Sequence, residues 1–227
     1  MALPAWSAAS VVAPAFAQSA PPPLIGDLKP LGRDRFQLGR ILIDKRARSF
    51  TVPGRVHLND KPLEYLATTP GGLKAYEALF ELDTTGSEFN LACILIGLER
   101  DPQHVEARHK AAGQPLLGPR VAIFVAWQEG GKRRKVSAAE AILNSAAVAK
   151  PEAVEWVYTG SPLSGGIDVF GADFSGTLVG FKRDEYNVIE SSVGIGTGAY
   201  GSVRGHAMLP PVDTAIELIV DAAPVAK

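Results

Sequence analysis

GGLKAYEALFELDTTGSEFNLACILIGLE, residues Gly71–Glu99, is the stretch on which the fold turns. Two glycines reverse the chain. Leu73–Leu82 then alternates and predicts a strand. Ser87 is placed to cap a helix, with Glu88 in the favourable first turn. Phe89, Leu91, Ala92, Leu95 and Leu98 give that helix an apolar face. The run is apolar nearly all round, which predicts burial against a sheet. The same stretch carries Lys74, Tyr76 and Glu77, the densest group of reactive-type side chains outside turns. On a strand, Lys74 and Tyr76 share one face and Glu77 takes the other. A bulge after the Gly-Gly turn would unite them. An amine and an acid so placed suit proton transfer or a polar ligand. A cross-strand ion pair with an aromatic contact is the plainer account.

Working outward, Phe36–Asp44 alternates as a strand, and Ser49–Leu58 is its antiparallel partner, with Pro53-Gly54 marking an edge or bulge. Leu63–Thr69 is a third strand. Arg120–Gln128 pairs through Gly130-Gly131 with Lys132–Val136 as a hairpin. Ser137-Ala138-Ala139-Glu140 is a capping box that opens a short helix to about Ala147. Further strands fall at Val154–Thr159, Ile167–Phe170, Thr177–Lys182, Asn187–Ser192 and Thr214–Asp221. Strands outnumber helices and hairpins dominate. The prediction is an α+β domain of mainly antiparallel sheet with two short helices packed on it.

The 227 residues suffice for a substantial core. Residues 1–26 hold no charge and are rich in Ala, Pro and Ser. Ala15-Phe16-Ala17 fits a signal-peptidase site after the apolar Trp6–Ala13. The organisation that follows is a signal peptide over residues 1–17, a Pro-rich tether over 18–35 and one domain over 36–227. The expected location is the bacterial periplasm or the exterior. No other run approaches membrane-spanning length, so no transmembrane segment is expected in the mature chain. The net charge of −1 lacks the basic excess that a nucleic-acid binder needs. The cations Lys132–Lys135 form a local exception, which a solvated hairpin tip explains. Cys93 is the single cysteine, so neither an internal disulfide nor a multi-cysteine metal or iron–sulfur site can be built. Its apolar neighbours make it a core residue.

Other motifs fail on context. Gly196–Gly201, GTGAYG, has the letters of a dinucleotide fingerprint, and Asp221 follows at a suitable distance. The motif must open a helix, and Gly205 and Pro210-Pro211 forbid one. A surface loop remains, with Gly196, Gly198 and Tyr200 as binding candidates. His104 and His109 would diverge by about 140° on a helix, and Glu106 does not repair the spacing. A metal site would need His57 or His206 brought in by the fold. Ser161, Ser164 and Ser175 sit in turn sequence, with no nucleophile elbow. No catalytic residue, metal or cofactor is assigned.

One ordered set of segments spans Ile41 to Val220: IDKRARSFTVPGRV, LEYLATT, GGLKAYEALF, FNLACILIGLE, VAIFVAWQEGGKRRKVSAAEAI, EWVYTGS and PPVDTAIELIV. Together they resemble the YdjY-domain family of exported bacterial proteins. The resemblance implies an exported domain without an established reaction. Some members are associated with ferredoxin-type clusters, which one cysteine cannot build. Relatives often show Lys-x-His-Glu where this chain has Lys74-Ala75-Tyr76-Glu77. A role for that histidine as base or ligand would therefore be lost here. The expectation is a non-catalytic binding or assembly module acting with another envelope protein, in one form as an accessory subunit of an envelope complex. The alternative is a hydrolytic or metal-assisted enzyme built on Lys74, Glu77 and the Gly194–Gly201 loop. Candidate binding residues are Lys74, Tyr76, Glu77, Gly196, Gly198 and Tyr200.

Overall fold

Strands β1 (Leu28–Gly32), β2 (Arg35–Leu38), β3 (Ile41–Asp44) and β4 (Ser49–Val56) open the chain as an antiparallel meander. The computed structural model describes residues 25–101, 114–144, 154–163, 169–195 and 202–223. The predicted strand Phe36–Asp44 is two strands, because Gly39 takes φ 54° and folds the chain back. Leu28–Gly32, assigned on sequence to the tether, is a strand paired with β2.

Next come β5 (Tyr65–Thr68), a 3-10 turn (Ala75–Glu77), β6 (Ala78–Leu82) and helix α1 (Gly86–Leu95). Strands β7 (Arg120–Glu129) and β8 (Lys132–Ser137) form the expected hairpin. Then follow β9 (Ile142–Asn144), β10 (Trp156–Tyr158), α2 (Gly171–Ser175), β11 (Thr177–Gly180), β12 (Ile189–Ser191), β13 (Val203–Gly205) and β14 (Ala215–Ala222).

The pairing order β4-β14-β7-β10-β12-β11-β5-β6 returns to β4, so eight strands close into a barrel. Strands β1–β3 extend from β4, and β8 extends from β7. This corrects the predicted α+β sheet with helices packed on it: the protein is mostly β. Two pairs in the ring are parallel, β5–β6 and β11–β12. Period-2 alternation marks one buried face per strand, and it is the same for an open sheet and a closed one.

Closure depends on β4. Its first half pairs with β3 on one edge, and Gly54–Val56 pairs with Phe80–Leu82 of β6 on that same edge. Pro53-Gly54 is therefore the point where β4 changes partner. A Cβ on Gly54 would stand 2.2 Å from the Glu81 carbonyl oxygen. Only glycine lets β6 come that close.

Phe50, Val52, Val56, Phe80, Leu82, Ile123, Val125, Leu218 and Val220 are buried in one continuous core. Helix α1 touches β3, β11 and α2, and its Phe89 meets Phe50 edge-on at 5.2 Å. The cap of α1 is Thr85, not Ser87. Thr85 Oγ1 accepts from the Glu88 N–H at 3.1 Å, and Glu88 Oε2 accepts from the Thr85 N–H at 3.3 Å. Ser87 instead donates its N–H to Asp173 of α2 at 2.9 Å. The box Ser137–Glu140 forms its reciprocal hydrogen bonds, at 3.2 and 2.8 Å. The chain then runs into β9, which pairs with β13 where a helix was predicted.

Candidate functional site

The turn Ala75–Glu77 is 3-10 and the strand begins only at Ala78. The predicted strand Leu73–Leu82 is thus half turn, and its strand alternation does not apply to Lys74–Glu77. The turn brings together the three side chains that alternation would separate. Lys74 Nζ donates to the Tyr76 hydroxyl at 3.3 Å and lies 3.5 Å from Glu77 Oε1. It also stands 5.7 Å from the Tyr76 ring centroid. Glu77 is buried, whereas Tyr76 is 62% exposed and Leu73 61% exposed. Leu73 and Tyr76 are thus two large apolar side chains exposed close together in the chain, one just before the turn and one within it.

Neighbouring elements hold this turn. Thr69 N–H donates to the Gly176 carbonyl at 2.8 Å and Leu73 N–H to the Ser175 carbonyl at 2.9 Å. Both acceptors end α2. Phe174 of α2 is itself exposed and packs edge-on against Tyr186 at 6.1 Å.

The Lys74 ammonium is held above its usual range by the hydrogen bond to Tyr76, with the charges of Tyr76 and Glu77 adding and burial opposing. An amine kept protonated is a poor base and a poor nucleophile at neutral pH. The group can present a cation, an aromatic face and a hydroxyl to a partner.

A second polar group lies on the barrel seam, and it escaped sequence reasoning. Arg55 of β4 faces Glu81 of β6 in register. Arg55 Nε donates to Glu81 Oε2 at 3.0 Å, and Gly71 N–H donates to Oε1 at 3.2 Å. His57 Nδ1 stands 3.5 Å from Oε2, and Asp213 accepts from Arg55 Nη1 at 3.2 Å. Glu81 is only 4% exposed. Burial opposes its ionisation. The hydrogen bonds from Arg55 and Gly71, with the charges of His57 and Arg55, outweigh that and hold the carboxyl below the usual range. The signal in the sequence was a lone acid inside the apolar run Ala78–Leu82. Its partner lies 26 positions earlier, on a strand that nothing local links to β6.

Lys74 and Glu77 meet no histidine among the described residues. His57 faces Glu81, and His206 Nδ1 accepts from the Met208 N–H at 3.0 Å. No group of three metal-ligating side chains occurs among the described residues, and no helix there is long and apolar enough to cross a membrane. His104, Glu106, His109, Ser164, Gly196, Gly198 and Tyr200 lie outside the described residues, as does the signal segment. Ser175, read on sequence as a turn residue, is instead the last residue of α2; its Oγ donates to the Gly171 carbonyl at 3.0 Å and it is buried. Cys93 is fully buried, and burial pushes its thiol well up.

No curated protein and no solved structure matches the chain. The YdjY domain matches residues 41–218, from β3 into the first half of β14, and so takes in seven barrel strands whole and part of the eighth. With most of its length matched, the chain belongs to the YdjY-domain family.

Proposed function

We propose that this protein is an exported, non-catalytic binding or assembly module that engages another protein of the bacterial envelope through the β5–β6 turn. One observation carries the reading: Lys74 and Tyr76 are displayed beside exposed Leu73 on a turn anchored by backbone hydrogen bonds to α2. Aromatic side chains on rigid backbone supply contact area at low entropic cost, and tyrosine is enriched at energetically dominant interface positions. The protonated Lys74 adds charge selectivity at the rim. The uncharged Ala/Pro/Ser-rich start supports export, and its Pro-rich continuation suits a tether.

The test is a photo-crosslinking residue placed at Tyr76 and activated in intact envelopes. A discrete adduct that weakens in a Lys74→Glu background is expected. Recovery of only free monomer, by crosslinking and by native pull-down, would overturn the proposal. Fractionation that leaves the chain in the cytoplasm would overturn the export part.

A further inference from the structure

Four consecutive cations, Lys132, Arg133, Arg134 and Lys135, occupy β8. Lys132 and Arg134 face Glu129 and Trp127 across the hairpin, while Arg133 and Lys135 face Gln128 and Ala126. Alternation therefore puts two cations on each face of the strand. Arg133 pairs with Glu217 at 2.7 Å and Arg134 with Glu129 at 2.9 Å. Arg134 also lies 5.3 Å from the Trp127 ring centroid, and Lys135 Nζ lies 3.9 Å from that of Phe124. Lys132 has no ion pair among the described residues, and both lysines are exposed.

Among the described residues β8 pairs with β7 alone. Alternate N–H and C=O groups of β8 therefore point outward without a strand partner there. We infer that this edge docks an extended acidic segment of a partner protein, which adds a strand to β8 while its carboxylates meet the cations on both faces. Main-chain hydrogen bonds would supply the alignment and the side chains the selectivity. Charge decides the occupant. A second copy would bring four cations against four, and like charges so close repel. Because both faces are basic, the fitting segment carries consecutive acids and not alternating ones. The rings of Trp127 and Phe124 hold Arg134 and Lys135 in place, which lowers the ordering cost. This surface lies on different elements from the β5–β6 turn, so either surface can fail without the other.

The probe is the fluorescent peptide Val-Glu-Glu-Glu-Glu-Val, titrated with the full chain by anisotropy at low and high salt. Its Gln-for-Glu counterpart and a version N-methylated at alternate residues serve as comparisons. The Glu peptide is expected to bind roughly tenfold tighter than the Gln peptide, and to weaken as salt rises. N-methylation is expected to remove most of the binding, because it blocks strand addition. The double variant Lys132→Glu/Lys135→Glu should weaken binding by roughly tenfold, and Lys132→Gln alone by about two- to threefold. The single variant changes one exposed, unpaired side chain, so it keeps the test valid if the double variant folds poorly. Equal binding of the Glu and Gln peptides would overturn the inference. So would undiminished binding of the N-methylated peptide, self-association through β8, or binding to phosphatidylglycerol vesicles without peptide binding.

Discussion

Replacing Gly54 by alanine should open the barrel. The φ of Gly54 lies outside the left-handed region, so alanine can adopt the backbone and the cost is steric alone. The new methyl would stand 2.2 Å from the Glu81 carbonyl oxygen, 2.8 Å from Leu82 Cδ2 and 3.0 Å from Leu82 Cα. Favourable contacts begin near ~3.5 Å, so the backbone must part by about 1 Å. The oxygen belongs to the main chain and cannot rotate away. Overpacking of this kind costs about 1–3 kcal/mol. One or two weakened β4–β6 hydrogen bonds add about 1 kcal/mol each. Alanine restricts the unfolded chain and returns about 0.4–1 kcal/mol. The net loss is about 3 kcal/mol, which for a domain of this size lowers Tm by about 6–12 °C. Thermal melts by circular dichroism measure it. Amide exchange should speed first in β6, the strand whose pairing to β4 closes the ring. A Gly54→Ala protein melting within about 2 °C of its parent would refute the account of closure.

Glu81→Gln should remove part of the acid limb of the stability profile. The folded carboxyl sits below the unfolded value of 4.5, so its contribution is complete above that pH and drains as pH falls through the folded value. Urea unfolding from pH 7 to 3 checks this, and a variant with the parent's acid limb would sink it. Thr85→Ala should cost about 1 kcal/mol through loss of the α1 cap, read as a shift in the urea midpoint. Ser87→Ala retains that cap and loses only the hydroxyl to Asp173. Cys93 should resist thiol reagents in the native protein even at pH 9, since burial raises its pKa. Rapid labelling without denaturant would contradict its placement in the core.

Much of the local structure was legible. The β7–β8 hairpin follows from Gly130-Gly131, which take φ 56° and 77° as the tight turn requires. Strands β4, β5, β11 and β12 fall inside their predicted spans, and β14 runs one residue past its own, to Ala222. Local signals misled where two readings fitted one pattern. Ser87 and Thr85 are both cap residues, and only Thr85 has a glutamate three positions on. Ser137–Glu140 forms a true box, yet a box satisfies a turn as well as a helix. The alternating run Leu73–Leu82 concealed a 3-10 turn because a three-residue turn barely disturbs an alternating pattern. That error also separated Glu77 from Lys74 and Tyr76, which the turn brings together.

The amino-acid sequence by itself determined what acts over a few residues: most strand positions, the β7–β8 hairpin turn, the apolar character of α1, the single buried cysteine and the likeness to the YdjY family. The tertiary structure decided the closed barrel, the Arg55–His57–Glu81 group on its seam and the open basic edge of β8. Each of these depends on which strands pair across long separations. A period-2 pattern states that a strand has a buried face, but not which strand lies beside it. Closure was decided where β4 changes partner at Gly54, by the absence of a single Cβ.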